Sequence, residues 1–301
     1  MGYELTCNSG GANTGMPKCR GDYGRVIFHI ICPPGHTIDT EANALLEATW
    51  TTLIENDEST RAYPLPEYFK YTPAREDAVY EQGDFGKKIF IREGYADGTA
   101  MYENAPPCFK QKLNAFNKQN WTAYEVTEKG YILGYSVAGT LFQAFDIDYQ
   151  TEADKPATGE ETRKTPVKIY CNTPSQWEEY GVAIYPPGES SAWNPRELEG
   201  LLDANVTVVS STATSLVVDV KTDCDETAVT DLVVADFLLQ DDTPSTETVS
   251  SATESTTIDG RYTLAFDAIG ADDYTINLKE PSAMTTNGFQ HGDDASFTIE
   301  S

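Results

Sequence analysis

From Asn205 to its end the chain is written in short β-branched and aromatic runs, and that repetition leaves few folds open. Val206–Val209, Leu216–Val220, Leu232–Leu239, Tyr262–Phe266, Tyr274–Leu278 and Ser296–Ile299 recur, with Asp, Thr, Ser and Gly turns between them. Six or seven short strands in roughly a hundred residues predict a two-sheet antiparallel sandwich. The Cys…Trp…Cys core of antibody domains is absent, because Cys224 is the one cysteine of this half and Trp193 is the last tryptophan. The Ser/Thr-rich stretch Thr243–Thr257 reads as a loop or an edge hairpin tip.

The text before this point mixes strands with helices. Arg25–Cys32 is a confident buried strand ended by Pro33-Pro34-Gly35, and His29 within it reads as a core or interface histidine. Asp39 or Thr40 can cap a helix running to about Asn56, with Leu45, Leu46, Trp50, Leu53 and Ile54 on its apolar side. The stretch that organises this half is Asp77–Val137. It holds a strand at Lys87–Arg92 and a helix after Pro106-Pro107 with the apolar stripe Phe109, Leu113 and Phe116. Two more strands, Thr122–Thr127 and Tyr131–Val137, flank Glu128-Lys129-Gly130, where glycine can take the positive φ of a tight hairpin. Leu141–Tyr149, Thr165–Cys171 and Trp177–Tyr185 complete a sheet, with a long exposed loop over Gln150–Lys164. The fold class is therefore mainly β (α+β): an N-terminal arm over 1–24, a sandwich- or barrel-like β domain with a packed helix over 25–185, a linker over 186–203, and a second β-sandwich over 204–301.

Charge excludes several functions. The 48 acids against 21 Lys/Arg give a net charge of −27, and from Ala204 onward 18 acids face only Lys221, Arg261 and Lys279. Such a surface repels nucleic-acid phosphates and anionic membranes, so no specific nucleic-acid or membrane partner is expected. No apolar run approaches the roughly 20 residues of a membrane helix, and the N-terminus lacks the features of a signal peptide. Reduced thiols are then the default, although Cys7, Cys19, Cys32 and Cys171 could in principle combine; no pair has metal-ligand spacing.

Catalytic motifs are not legible. His29, His36 and His291 stand outside any triad-like setting. Asp146 and Asp148 share one face of a strand and read as a solvated strand face. Asp223-Cys224-Asp225-Glu226 and Asp241-Asp242 could serve calcium at loop tips, with solvated acidic turns as the default. The expectation is a non-enzymatic chain without cofactor or metal.

Two stretches carry a resemblance. Asn13-Thr14-Gly15-Met16-Pro17-Lys18-Cys19 before a strand, and Gln82-Gly83-Asp84-Phe85-Gly86 leading Lys87–Arg92 toward a helix, look like virion structural proteins of phages of Bacteroidetes-type bacteria. The last hundred residues resemble the immunoglobulin-like modules that tailed phages append to capsid and tail proteins. The element order is similar to that of major tail tube proteins, which stack as hexameric rings. The resemblance implies a virion location, with host cytoplasm during assembly. The implied partners are further copies of the chain, in a ring that stacks, and other virion proteins. Its self-assembly residues would lie in the arm (Asn13, Met16) and in the Tyr/Pro loop (Tyr63, Tyr68, Phe69, Tyr71). A capsid decoration or head-fibre protein is the nearest alternative. A carbohydrate-binding adhesin, with Tyr and Trp as an exposed stacking platform, is another.

Overall fold

A computed structural model describes residues 23–82, 86–92, 94–137, 141–178, 180–188, 193–243, 245–284, 286, 288–292 and 294–299. The expected arm over 1–24 lies almost wholly outside them. The chain divides into two units, the first up to Ile54 and over Ser59–Glu199, the second over Gly200–Ser301 with Glu55–Glu58. Both are mainly β, as the strand-rich text requires.

The first unit runs β1 (Val26–Cys32), β2 (Thr37–Ile38), α1 (Glu41–Ala44), α2 (Glu47–Ile54), β3 (Tyr63–Pro64), β4 (Lys70–Arg75), β5 (Val79–Gln82), β6 (Lys88–Arg92), β7 (Ala96–Glu103) and α3 (Pro107–Asn114). There follow β8 (Asn120–Thr127), β9 (Ile132–Tyr135), β10 (Phe142–Gln143), β11 (Phe145–Thr151), β12 (Lys164–Cys171), α4 (Pro174–Glu178) and β13 (Gly181–Ile184). The large sheet pairs β1 with β8, then β11, β12, β7 and β4, all antiparallel. It also closes on itself. Tyr63 and Pro64 pair with Ile31 and Ile30 of β1, and the amides of Leu65 and Tyr68 donate to the carbonyls of His29 (3.0 Å) and Ile27 (2.7 Å). Residues 63–75 thus run from one sheet edge to the other and close β1, β8, β11, β12, β7 and β4 into a small barrel, from which β9, β10, β2 and β13 branch at β8. The sequence text reads this segment as an aromatic loop. Pro64, Pro66 and Pro73 hide its extended character, yet proline is tolerated where its missing N–H leaves no ladder bond unmade.

Side chains sort by alternation. In β11 Phe145, Ile147 and Tyr149 point into the barrel and are buried, while Asp146 and Asp148 face outward and are half-buried, as the alternating text predicts. The Asp146 carboxylate accepts from the Gln176 amide at 2.7 Å, which supports the polar-face reading. Helix α3 plugs one end of the barrel. Pro107 opens it, Leu113 is buried, and Phe109 and Phe116 meet Tyr102 and Tyr149 inside. A network on the adjoining loop fixes the plug: Asp154 accepts from Lys110 Nζ at 2.8 Å, from Arg163, and from Thr165 Oγ1 at 3.1 Å. The other face of β8 meets Trp50 of α2, edge-on to Tyr124.

Three local expectations are corrected here. The helix expected over 39–56 is two pieces: Thr40 caps α1 through the Asn43 amide, and the chain breaks at Leu45-Leu46. Carbonyls at and just before the break are taken by indole N–H groups, Ala44 by Trp50 and Leu45 by Trp193, each at 2.8 Å. Trp177 belongs to α4, so only Gly181–Ile184 of the expected last strand pairs, with β9. Lys88–Arg92 forms a strand, but outside the large sheet: among the described residues it pairs only with Val79–Gln82. The tight turn at Glu128–Gly130 is as expected, with Gly130 at φ +82°.

The second unit contains β14 (Leu202–Thr212), β15 (Ser215–Thr222), β16 (Phe237–Asp241), β17 (Thr246–Glu247), β18 (Val249–Glu254), β19 (Arg261–Phe266), β20 (Asp273–Leu278), β21 (Phe289–His291) and β22 (Ala295–Thr298). One sheet has the order β18-β19-β15-β14-β21 and the other β17-β16-β20-β22. Apart from β21, which pairs parallel to β14, this is the two-sheet strand order of an immunoglobulin-like sandwich. Val218, Leu264, Phe237 and Ile276 fill the space between the sheets. Tyr274, at the start of β20, donates to the Gly270 carbonyl four residues upstream, the tyrosine-corner contact of such sandwiches. Two details depart from the expectation. Val234–Asp236 is a 3₁₀ turn rather than strand, because the buried Asp236 carboxylate accepts from the Val233 amide (2.9 Å) and Thr286 Oγ1 (2.8 Å). The Ser/Thr stretch is not only a tip: it supplies the edge strands β17 and β18, one to each sheet.

Candidate functional site

Opposite the α3 plug the barrel is open. Its mouth is a cavity of about 360 Å³ walled by Leu133, Phe145, Ile147, Ile169 and Trp177, with Tyr23 and Arg25 at the rim. Trp177 lies flat on Phe145, centroids 4.3 Å apart and planes 8° from parallel. Cys171, Gly98 and Tyr71 complete the wall. A side chain at position 98 would start 2.2 Å from the Tyr71 hydroxyl, so glycine is what lets Tyr71 lie across the barrel. A cavity of this size in a barrel mouth, apolar with a few polar groups, is where small folds bind other molecules.

The polar groups are His29 and Glu125. His29 is 2% exposed; its Nδ1 is 2.8 Å from the Tyr68 hydroxyl and its Nε2 3.6 Å from the Glu125 carboxylate. Behind it stand Tyr68, Tyr102 and Tyr149, whose hydroxyls burial pushes well above the usual tyrosine range. The Tyr102 and Tyr149 hydroxyls are buried without a well-formed hydrogen bond. At the rim, Asp97 is raised by burial and then by the nearby Glu76 carboxylate, against the pull of Lys168. The Cys32 thiol, fully buried, is pushed far up by desolvation and is no nucleophile.

A second feature leaves the same rim. Arg75 pairs with Ala96, the Glu76 amide donates to the Tyr95 carbonyl at 2.9 Å, and β5 and β6 continue outward as a two-stranded ribbon. At the exit a side chain on Gly94 would start 1.7 Å from the Glu76 carbonyl oxygen, so only glycine lets the strands pass this close. Every described residue of β6 is exposed, including Ile89 (52%), Phe90 (53%) and Ile91 (55%), and so is Tyr80 opposite (53%). Successive residues of a strand face opposite sides, so this ribbon shows apolar groups on both faces.

The residues expected to carry self-assembly separate. Tyr68 is 8% exposed inside the barrel, and Tyr71, half-buried, stacks on it and lines the mouth. Tyr63 is half-buried against Phe116 and Trp121. Phe69 alone of the four stands out, at 57%. Asn13 and Met16 lie outside the described residues. The ribbon was missed as a surface. Its signal in the text is that Ile89, Phe90 and Ile91 leave no polar face between Lys88 and Arg92.

The acidic turns have local duties. Asp225 accepts from Thr222 and from the Thr227 amide and hydroxyl; Asp241 accepts from the Thr243 and Ser245 amides. Among the described residues no three carboxylates converge, and no helix is long and apolar enough to cross a membrane. No family model matches the chain, and no curated protein does either.

Proposed function

We propose that the chain is a non-enzymatic structural subunit that assembles with copies of itself. The observation that carries this reading is the ribbon of β5 and β6. An isolated two-stranded hairpin is marginal in water, and an exposed apolar one is a template for another chain. On the resemblance of its text to tail tube proteins, the assembly is a phage tail tube of stacked rings, in the virion, with the immunoglobulin-like unit decorating it. The decoration or head-fibre alternative uses the same modules and predicts a small closed oligomer instead. A glycan-stacking platform has less support, because Trp50 and Trp193 are buried and Trp121 and Trp177 half-buried. Negative-stain electron microscopy at rising protein concentration tests the proposal. Rings or striated tubes are expected. A monomer that stays dispersed at all concentrations refutes self-assembly, and a discrete trimer moves the reading to decoration.

A further inference from the structure

Among the described residues of the first unit the ribbon and the barrel mouth are two apolar surfaces that differ in kind. One is a projection, apolar on both faces, whose Lys87–Arg92 stretch carries three cations, of which Arg92 is already 3.8 Å from the Glu76 carboxylate, while β5 adds the acid Glu81 opposite Ile89. The other is an apolar hollow with a carboxylate, Glu125, in its wall and a second, Asp97, at its edge. In a chain of net charge −27 the ribbon's cations find their complement on almost any copy, but the hollow adds apolar walls to that charge. Asp97 is raised first by burial and then by Glu76, with Lys168 pulling the other way, and a further cation would favour its charged form.

We propose that the ribbon of one copy seats in the barrel mouth of a second copy, placing Phe90 or its neighbours Ile89 and Ile91 against the Phe145–Trp177 wall and Lys87 or Lys88 toward Glu125 and Asp97. This rests on the self-assembly reading and names the contact that would drive it. The ribbon and the mouth are different patches, so the contact is heterologous and propagates around a ring or along a filament instead of ending at a dimer. The ribbon starts at the rim of its own mouth, so each copy carries both halves of the contact at the same end of its barrel.

The test uses the full chain with Phe90→p-benzoylphenylalanine, mixed equally with ¹⁵N-labelled copies and irradiated, and cross-linked peptides are read by mass spectrometry. Mixed-isotope pairs joining residue 90 to segments 96–98, 123–126, 145–147 or 169–177 are expected. Pairs confined to one isotope, or landing elsewhere, overturn the proposal. Phe90→Asp with Ile91→Asp gives an independent arm, since both side chains are exposed and the fold should persist by circular dichroism. At least a tenfold rise in the concentration needed for assembly is expected. Unchanged assembly of this variant overturns the contact while leaving self-assembly standing, whereas a wild type that never assembles removes both.

Discussion

Tyr262→Phe should cost the second unit about 3 kcal/mol, although it removes a single atom. The ring is fully buried in β19, and phenylalanine keeps its packing. The hydroxyl, however, donates to the Val229 carbonyl at 2.8 Å and accepts from the Leu232 amide at 3.2 Å. Both partners are buried and belong to the irregular stretch that links β15 to the Val234–Asp236 turn. Losing the hydroxyl strands two backbone groups, each at about 1–3 kcal/mol, less whatever relaxation recovers. Tyr274→Phe is the control: its hydroxyl makes one longer bond, 3.3 Å to Gly270, in a part-buried place, and should cost about 1 kcal/mol or less. For a unit of this size a loss of about 3 kcal/mol lowers the melting temperature by about 10–20 °C. All four tryptophans precede residue 194, so their fluorescence follows the first unit, and hydrogen exchange on peptides from 202–299 follows the second. A Tyr262→Phe loss below about 1 kcal/mol, or one smaller than that of Tyr274→Phe, would refute the reasoning.

Three further outcomes are expected. At Asp154, partial burial opposes the charge but is outweighed by hydrogen bonds from Lys110, Arg163 and Thr165, which bring the carboxyl down to about 2. The stability this gives is present above the unfolded value near 4 and is lost as pH falls toward 2. Asp154→Asn should remove about 1 kcal/mol after solvent screening and flatten the acid limb of a pH–stability curve. For the tyrosines the sign reverses. Tyr262 is pushed up to about 12 by burial, and Tyr68, Tyr102 and Tyr149 are also raised. Their contribution is present below the free value near 10 and is lost above it, so urea midpoints should fall steeply from pH 10 to 12. Gly94→Ala should disorder the ribbon exit and leave the barrel folded, seen as faster amide exchange over 76–95 with unchanged tryptophan fluorescence.

What the text disclosed followed the range of the interactions. The second unit was legible as a sandwich because each strand carries its own alternation and turn chemistry; Arg261–Phe266, for example, buries Tyr262, Leu264 and Phe266 in step. The Gly130 hairpin was legible for the same reason. Barrel closure was not, because it depends on Tyr63–Tyr68 finding β1 more than thirty residues away, through a stretch whose prolines mimic a loop. His29 could be read as buried, but its neighbours in the mouth come from six other strands and could not be assembled from spacing. The ribbon shows the converse case. Lys88–Arg92 was correctly a strand, while its exposure is set by what fails to cover it, and no local pattern reports that.

The barrel also limits what an assembly of this chain can conduct. Six extended segments enclose too little space for anything but side chains, since even eight leave an interior that side chains fill. Here Tyr68, Tyr102 and Tyr149 occupy the middle and Leu113 of α3 sits at the closed end. On the tail-tube proposal DNA therefore passes between subunits, along outward faces of the strands, and never through a barrel. Those faces would have to repel phosphate, and β11 shows how the fold provides for it: alternation that sends Phe145, Ile147 and Tyr149 inward sends Asp146 and Asp148 out. On that proposal period-two patterning would do two jobs at once, filling the barrel and charging a wall along which a polyanion could slide without binding.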